Sequence, residues 1–153
     1  MVTIREATLE DIPDLVYLEE RVFDTDRINA ASFRNYIRNT RGTRIATVIA
    51  KDNTKLLGYY VLYLSYTVTS TRLYSLAVAK EYQGKGFGLL LLKNAEKRTR
   101  SAGKEYLRLE VKVSNTKAID FYRKLGYTEY ARQLGFYEDG SVAIKMKKQL
   151  WIK

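Results

Sequence analysis

Residues 81–97 read EYQGKGFGLLLLKNAEK, with Gly84, Gly86 and Gly88 at every second position ahead of a leucine block. Glycines so spaced serve one of three ends: a tight turn, a close joint between elements, or a cradle of bare backbone N–H groups for an anion. The familiar phosphate loops do not fit. A P-loop needs G-x-x-x-x-G-K-[ST], and the dinucleotide and kinase loops need G-x-G-x-x-G, which would put glycine where Leu89 stands. What remains is Gln83, Gly84, Lys85, Gly86, Phe87 and Gly88 between a buried strand and a long helix. Successive amides at a helix N-terminus suit a pyrophosphate, and Lys85 adds a mobile positive charge there. A glycine-rich turn that only lets strand and helix approach is the competing reading.

Composition narrows the chemistry further. The 153 residues contain no cysteine and no histidine. Disulfides, thiolate metal sites, a cysteine nucleophile, histidine triads and histidine metal sites are therefore excluded. Catalysis must rest on Glu, Asp, Tyr, Lys, backbone dipoles or water. Residues 1–79 carry 10 basic and 9 acidic side chains, residues 80–153 carry 17 and 8, so nearly all of the net +10 lies in the half that begins with the glycines. That excess suits a polyanionic small molecule, a nucleic acid or simply a basic solvated surface. Apolar runs fall short of the roughly 20 residues that span a bilayer, and the N-terminus lacks a signal-peptide core. The expectation is a single domain over residues 1–153, in the cytoplasm, with no membrane contact.

The elements that must position these residues follow from periodicity. TIREATLEDIPDLVYLEERVF gives a short extended stretch and then a helix, with a capping box at Thr8 and Asp11 and apolar Leu15, Leu18 and Val22 at helical spacing. A second helix is expected over residues 30–38. TRIATVIAK and KLLGYYVLYLSYTV read as strands around the turn KDNTK, and TRLYSLAVA as a further strand. The glycines then open a helix that runs to about Ala102, with Gly103 just past its end. EYLRLEVKV alternates, with Leu107, Leu109, Val111 and Val113 on one face and Arg108, Glu110 and Lys112 on the other. A short helix in SNTKAIDFYRKLGY ends at Gly126, and two strands over 128–134 and 142–148 close the chain. The order β-α-α-β-β-β-α-β-α-β-β describes an α+β domain with a mixed sheet.

AVAKEYQGKGFGLLLL resembles the Q/R-x-x-G-x-G/A signature of the GNAT acyltransferase superfamily, with Gln83, Gly86 and Gly88 in its places. LEVKVSNTKAIDFYRKLGY resembles that family's second segment, with Glu110, Asn115, Ala118, Tyr122, Gly126 and Tyr127 in register. The similarity extends to IREATLEDIPDLVYLEERVF and YEDGSVAIKM, and so to nearly the whole chain. Within the superfamily the chain is most similar to protein N-terminal acetyltransferases of the ribosomal-protein alanine and arrest-defective types.

The resemblance implies a GNAT-like fold: a mixed central sheet of about seven strands, flanked by about four helices, with two splayed parallel strands forming the acetyl-CoA site. It implies acetyl-CoA as donor, no metal, and a protein or peptide N-terminus as acceptor, met on the ribosome or a nascent chain. Leu76, Ala77 and Val78 would lie along the pantetheine arm, and the amides from Gly84 to Leu89 would hold the pyrophosphate. Asn115 would fix the pantetheine, Glu110 would act as base, directly or through water, and Tyr122 would give a proton to the departing sulfur.

From the residues alone, other readings stay open. Glu110 between Arg108 and Lys112 also reads as a solvated strand face, Tyr122 as a core residue on a stripe with Ala118 and Leu125, and Asn115 as a helix cap. Acceptors of a different kind, lysine side chains or small polyamines, would call for acidic walls, for which Glu19, Glu20, Asp24 and Asp26 are the candidates. A basic nucleic-acid-binding module without catalysis is a remote third reading, with no motif behind it.

Overall fold

The computed structural model describes residues 1–38 and 45–150. Among them lie four α-helices and a seven-stranded sheet of order β1-β2-β3-β4-β5-β7-β6. The strands are β1 (Val2–Glu6), β2 (Ile45–Asp52), β3 (Lys55–Tyr63), β4 (Ser70–Val78), β5 (Tyr106–Lys112), β6 (Thr128–Gln133) and β7 (Ala143–Gln149). The helices are α1 (Ile12–Val22), α2 (Ala30–Arg38), α3 (Phe87–Ser101) and α4 (Thr116–Lys124). Neighbouring strands run antiparallel, except β4 and β5, which are parallel. This is the mixed α+β architecture expected from the sequence, and α2 has the expected bounds.

Each face of the sheet has its own core. One face takes α3 and α4, joining Leu91, Leu92 and Ala95 of α3 to Leu107, Leu109 and Val111 of β5 and to Ile119 and Tyr122 of α4. The other takes α1 and α2, joining Leu15, Leu18 and Phe33 to Ile49, Tyr59 and Val61. Strand alternation feeds both: β5 shows a strict partly-buried, buried rhythm along its length. Helix α3 is also pinned by polar contacts, the Tyr60 hydroxyl donating to Asn94 Oδ1 at 2.6 Å and the Thr71 and Thr99 hydroxyls meeting at 2.8 Å.

The expected Thr8–Asp11 box is present, but it caps a 3-10 turn at Leu9–Asp11 that precedes α1. The Thr8 N–H donates to Asp11 Oδ2 at 2.7 Å, and Arg5 grips both carboxylate oxygens at 2.8 and 3.0 Å. The apolar run expected to remain a strand to Val68 leaves the sheet at Tyr63. The chain must reverse there so that Tyr63 can pair with Arg72, and the Thr67 N–H closes the reversal on the Ser70 carbonyl at 3.1 Å. The first two residues of TRIATVIAK lie outside the described residues.

Candidate active site

Strands β4 and β5 pair from Ser70↔Tyr106 to Leu73↔Leu109 and then part, although β4 continues to Val78 and β5 to Lys112. A β-bulge explains the split. Opposite β3, Leu62 faces Leu73 while Val61 faces Ser75, so Tyr74 is an extra residue in β4 directly after its last pair with β5. A bulge bends its strand and increases local twist, which turns β4 away from its partner. It also changes which face each residue meets. Leu73 belongs to the α3–α4 core, whereas Ala77 and Ala79, an even number of residues on, belong to the α1–α2 core.

Beyond the bulge, β4 stays bonded to β3. The Ala79 N–H donates to the Leu57 carbonyl at 2.9 Å. Because backbone groups alternate along a strand, those of Leu76 and Val78 point the other way, into the gap left by β5. The Val78 carbonyl there accepts from the Gln83 side-chain amide at 3.0 Å. Gln83 thus ties the glycine segment to the end of β4.

The three glycines differ. Gly84 and Gly86 sit at φ of +78° and +89°, a left-handed conformation that suits glycine, and a side chain there would meet open space. Gly86 is the N-cap of α3 and no side chain caps it. The Leu90 N–H reaches back to the Gly86 carbonyl at 3.0 Å, so the amides of Phe87, Gly88 and Leu89 begin the helix without intrahelical partners. Gly88 has no positive φ; a Cβ on it would rest 3.7 Å from the Phe121 ring and 3.8 Å from Val78, ordinary contacts. Lys85 stands over the Tyr82 ring at 5.8 Å. The result is a set of free helix-end donors beside a cation and beside the β4 gap, which fits a cofactor with a pyrophosphate and an amide-bearing arm.

An open cleft of about 650 Å³ runs through the split, and Glu110, Tyr122, Asn115 and Leu76 all line it. Glu110 alternates with the core residues Leu109 and Val111, so it faces the α1–α2 side, whereas Tyr122 belongs to the α3–α4 core. The two reach the cleft from opposite faces of the sheet.

Glu110 is not on a solvated strand face, as one reading of its charged neighbours had it. Its side chain is 7% exposed and is held by Arg72, whose Nε lies 2.8 Å and whose second nitrogen lies 2.7 Å from Oε1. Both bonds fall on Oε1, and among the described residues none falls on Oε2. Arg72 is in turn ringed by Tyr74 at 5.3 Å and by Tyr63 and Tyr66, each at 5.7 Å. Burial raises the Tyr122 phenol far above its ordinary value, with Tyr137 adding to the effect, so it remains protonated at neutral pH. Its ring lies edge-on to Phe121 and Tyr127, so packing fixes its direction. Asn115 caps α4 through Oδ1, which accepts from the Ala118 N–H at 3.1 Å. Its amide nitrogen retains two protons to donate.

The acidic wall read from the sequence is only partly there. Glu19 is 1% exposed and turns inward, where Oε2 accepts the Ile28 N–H at 2.9 Å. Burial pushes its carboxyl up to about 7, although the Ile28 bond and the nearby Arg27 oppose the shift. Glu20 is exposed, and its side chain is not part of the cleft lining. Asp24 and Asp26 do line it. Asp26 Oδ1 also accepts the Glu138 N–H at 3.1 Å, while Lys112 Nζ bonds Thr25 Oγ1 at 2.9 Å and Asp139 Oδ2 at 3.2 Å. The α1–α2 loop and the β6–β7 loop are thereby tied across one end of the cleft.

Arg72 was not expected at the site, which also takes in Lys112 and the aromatic residues Phe136 and Tyr137 of the β6–β7 loop. Arg72 carries no signal of its own in TRLYSLAVA, because its role depends on a strand 38 residues away.

Comparison with known proteins agrees with this geometry. The model of the acetyltransferase (GNAT) domain matches residues 7–150. An uncharacterized N-acetyltransferase of Methanocaldococcus jannaschii is 45% identical over 76 residues, 49% of each chain. An N-alpha-acetyltransferase of Saccharolobus solfataricus is 25% identical over 97% of this chain and 93% of its own. The crystal structure of the ribosomal-protein-S18-alanine N-acetyltransferase from Escherichia coli superposes with a TM-score of 0.85 at 26% identity, covering 100% of this chain and 96% of that one. With the parted strands, the uncapped helix end and a domain match over almost its full length, this chain belongs to the GNAT acetyltransferase family.

Proposed function

We propose that this chain, as one acetyltransferase domain over residues 1–153, moves an acetyl group from acetyl-CoA directly to the α-amino group of protein N-termini. The observation that carries the reading is the convergence of Glu110 and Tyr122 on one cleft from opposite faces of the sheet. The names of the two N-terminal acetyltransferases that are similar over nearly the whole chain support the acceptor. A cytoplasmic place of action, with nascent chains or ribosomal proteins as acceptors, belongs to the same reading.

Acetyl-CoA supplies the acetyl group as an activated thioester. The Leu76 and Val78 backbone groups that face the gap hold the pantetheine as an added strand, helped by the Asn115 amide. The first amides of α3 and Lys85 hold the pyrophosphate. An α-amine has a pKa of about 8, so about a tenth is neutral at pH 7, against well under 0.1% for a lysine amine. Glu110, its direction fixed by Arg72, takes the amine proton through Oε2, directly or through one water. Tyr122, kept protonated by burial, delivers a proton to the sulfur as the C–S bond breaks.

The test is thiol release from acetyl-CoA over peptides with free N-termini, the same peptides blocked, lysine-bearing blocked peptides and spermidine, with wild type, Glu110→Gln and Tyr122→Phe. Turnover on free N-termini alone, lowered about 100-fold or more by either change, is expected. Turnover on blocked lysine peptides or spermidine would move the acceptor to a side-chain or polyamine amine and sink the α-amine reading.

A further inference from the structure

The face of the sheet that carries Glu110 also carries an unneutralised basic row. Arg72 of β4 pairs in register with Arg108 of β5, and Arg108 with Lys147 of β7, so three cations stand side by side across three strands. Lys145 lies one step along β7, directly opposite Glu110. Arg72 is engaged with Glu110, but Arg108, Lys145 and Lys147 make no ion pair among the described residues. Arg108 and Lys147 lie against tyrosine rings instead: Arg108 over Tyr130 at 5.3 Å, Lys147 over Tyr106 at 4.9 Å and over Tyr130 at 5.3 Å. Arg108 Nε is buried and has no hydrogen-bond partner.

Like charges directly opposite on neighbouring strands destabilise a sheet. Tyrosine rings offset part of that for Arg108 and Lys147, and Lys145 faces Glu110, so folding stability gives little reason for a row of this length. A ligand with negative charges does, and the row's place suggests which. The tie between the α1–α2 and β6–β7 loops closes one end of the cleft, through Asp26, Thr25 and Lys112. A chain whose N-terminus sits at Glu110 therefore leaves the other way, down the strands. Lys145 is about 5 Å from Glu110 along the sheet, Arg108 about 7 Å and Lys147 about 8 Å, from ordinary strand spacings. An extended chain advances about 3.3 Å per residue, so its second to fourth residues pass over these cations.

We propose that Arg108, Lys145 and Lys147 dock acidic side chains at the second to fourth positions of the acceptor, which makes the substrate class an N-terminus followed by Asp or Glu. The inference rests on the α-amine reading of the same cleft. The charge pattern fits: Asp24, Asp26 and Glu110 line the cleft, and its cations Arg72 and Lys112 are paired with Glu110 and Asp139. The unpaired cations follow where the acidic residues would lie. Strand-spaced point charges beside the acceptor cleft fit a short extended peptide better than a nucleic acid, whose backbone would have to enter the cleft to use them.

The experiment compares kcat/KM on heptapeptides that differ only at positions 2–4, carrying Asp/Glu, Ser or Lys, with wild type and with the Lys145→Glu/Lys147→Glu double variant. The acidic peptide is expected to lead the Ser peptide by about 10-fold, mainly through KM, with the margin shrinking as salt rises. The double variant should favour the Lys peptide over the acidic one. Lys147→Glu puts a carboxylate beside Arg108, and Lys145→Glu puts one opposite Glu110. A thermal melt therefore checks the fold, and the ratio between peptides, not the absolute rate, is read. A second measurement, fluorescence anisotropy of the same peptides with blocked N-termini in the presence of CoA, reads the row without the amine. Equal binding of acidic and Ser peptides there overturns the proposal, as does a short RNA that binds the row while acidic peptides show no advantage. If no free N-terminus is turned over yet blocked acidic peptides still bind best, the α-amine reading fails and the basic row stands.

Discussion

Gly88 and Gly86 offer a paired test of which glycine the phosphate cradle needs. Gly84 and Gly86 need glycine for their backbone conformation, so replacing them confounds strain with any effect on a ligand. Gly88 is different: it lies in the first turn of α3 without a positive φ, and an added Cβ finds only ordinary contacts with Phe121 and Val78 at 3.7 and 3.8 Å. Alanine is favoured over glycine by about 0.8–1 kcal/mol in a helix interior, and by roughly half of that in a first turn. At about 2–4 °C per kcal/mol for a chain of this size, Gly88→Ala should melt about 1–2 °C higher than wild type. The same methyl rests on Phe121 and Val78, and the signature admits alanine at this place, so CoA binding should stay close to that of wild type. Gly86→Ala is the control: forcing a side chain to φ of +89° costs about 1–2 kcal/mol, so it should lose both stability and affinity. Differential scanning fluorimetry without ligand and calorimetric titration with CoA measure the two effects. If Gly88→Ala destabilises as much as Gly86→Ala, or if Gly86→Ala binds CoA as wild type does, the phosphate cradle is wrong.

Other perturbations follow from the same structure. Arg72→Met leaves the 7%-exposed Glu110 carboxylate without its cation, and should cost about 2–3 kcal/mol in urea denaturation as well as lowering turnover, with Arg72→Lys recovering part of both. Glu19 has a folded pKa of about 7, raised by burial, so the folded state holds more protons than the unfolded one between about pH 4.5 and 7. Its contribution to stability is fully present below that window and lost as pH rises through it; Glu19→Gln should flatten this decline and leave the protein more stable than wild type at pH 8. A Cβ at Gly58 would stand 2.5 Å from the Ala77 carbonyl oxygen and 3.0 Å from Leu91 Cδ1, so Gly58→Ala should cost about 1–3 kcal/mol and raise KM for acetyl-CoA by shifting β4. An unchanged KM in that variant would mean that β4 does not position the donor.

Much of this molecule was legible because its local signals agree with its fold. The alternation of β5 and the glycines that end α3 and α4, Gly103 and Gly126 at φ of +73° and +96°, say in the sequence what they do in space. The long-range features were not. Nothing local places β7 between β5 and β6, because that order depends on which strand edges remain free once β4 and β5 have paired. The Tyr74 bulge did leave a trace: the apolar residues facing α3 step from Leu73 to Leu76 and then to Val78, three and then two, where an unbroken strand would step by two throughout. Glu110 was ambiguous for a related reason. Arg108 and Lys112, two places to either side, are charged and partly exposed, but the burial of Glu110 is set by Arg72 on another strand, and by the tyrosines that surround that arginine.

On the proposed reading of the donor site, the unmatched backbone edge of β4 would tie this chain's persistence to the supply of acetyl-CoA. A donor that completes the sheet binds the folded chain and not the unfolded one, so at 100 times its dissociation constant it adds about 2.7 kcal/mol to folding stability. For a chain of this length that is a rise of roughly 5–10 °C in melting temperature. When acetyl-CoA runs short, the amides of β4 beyond Leu73 exchange with solvent sooner and the chain presents a bare strand edge to proteases and to other edges. The amount of active enzyme would then fall with the metabolite, through degradation alone and without any separate regulator.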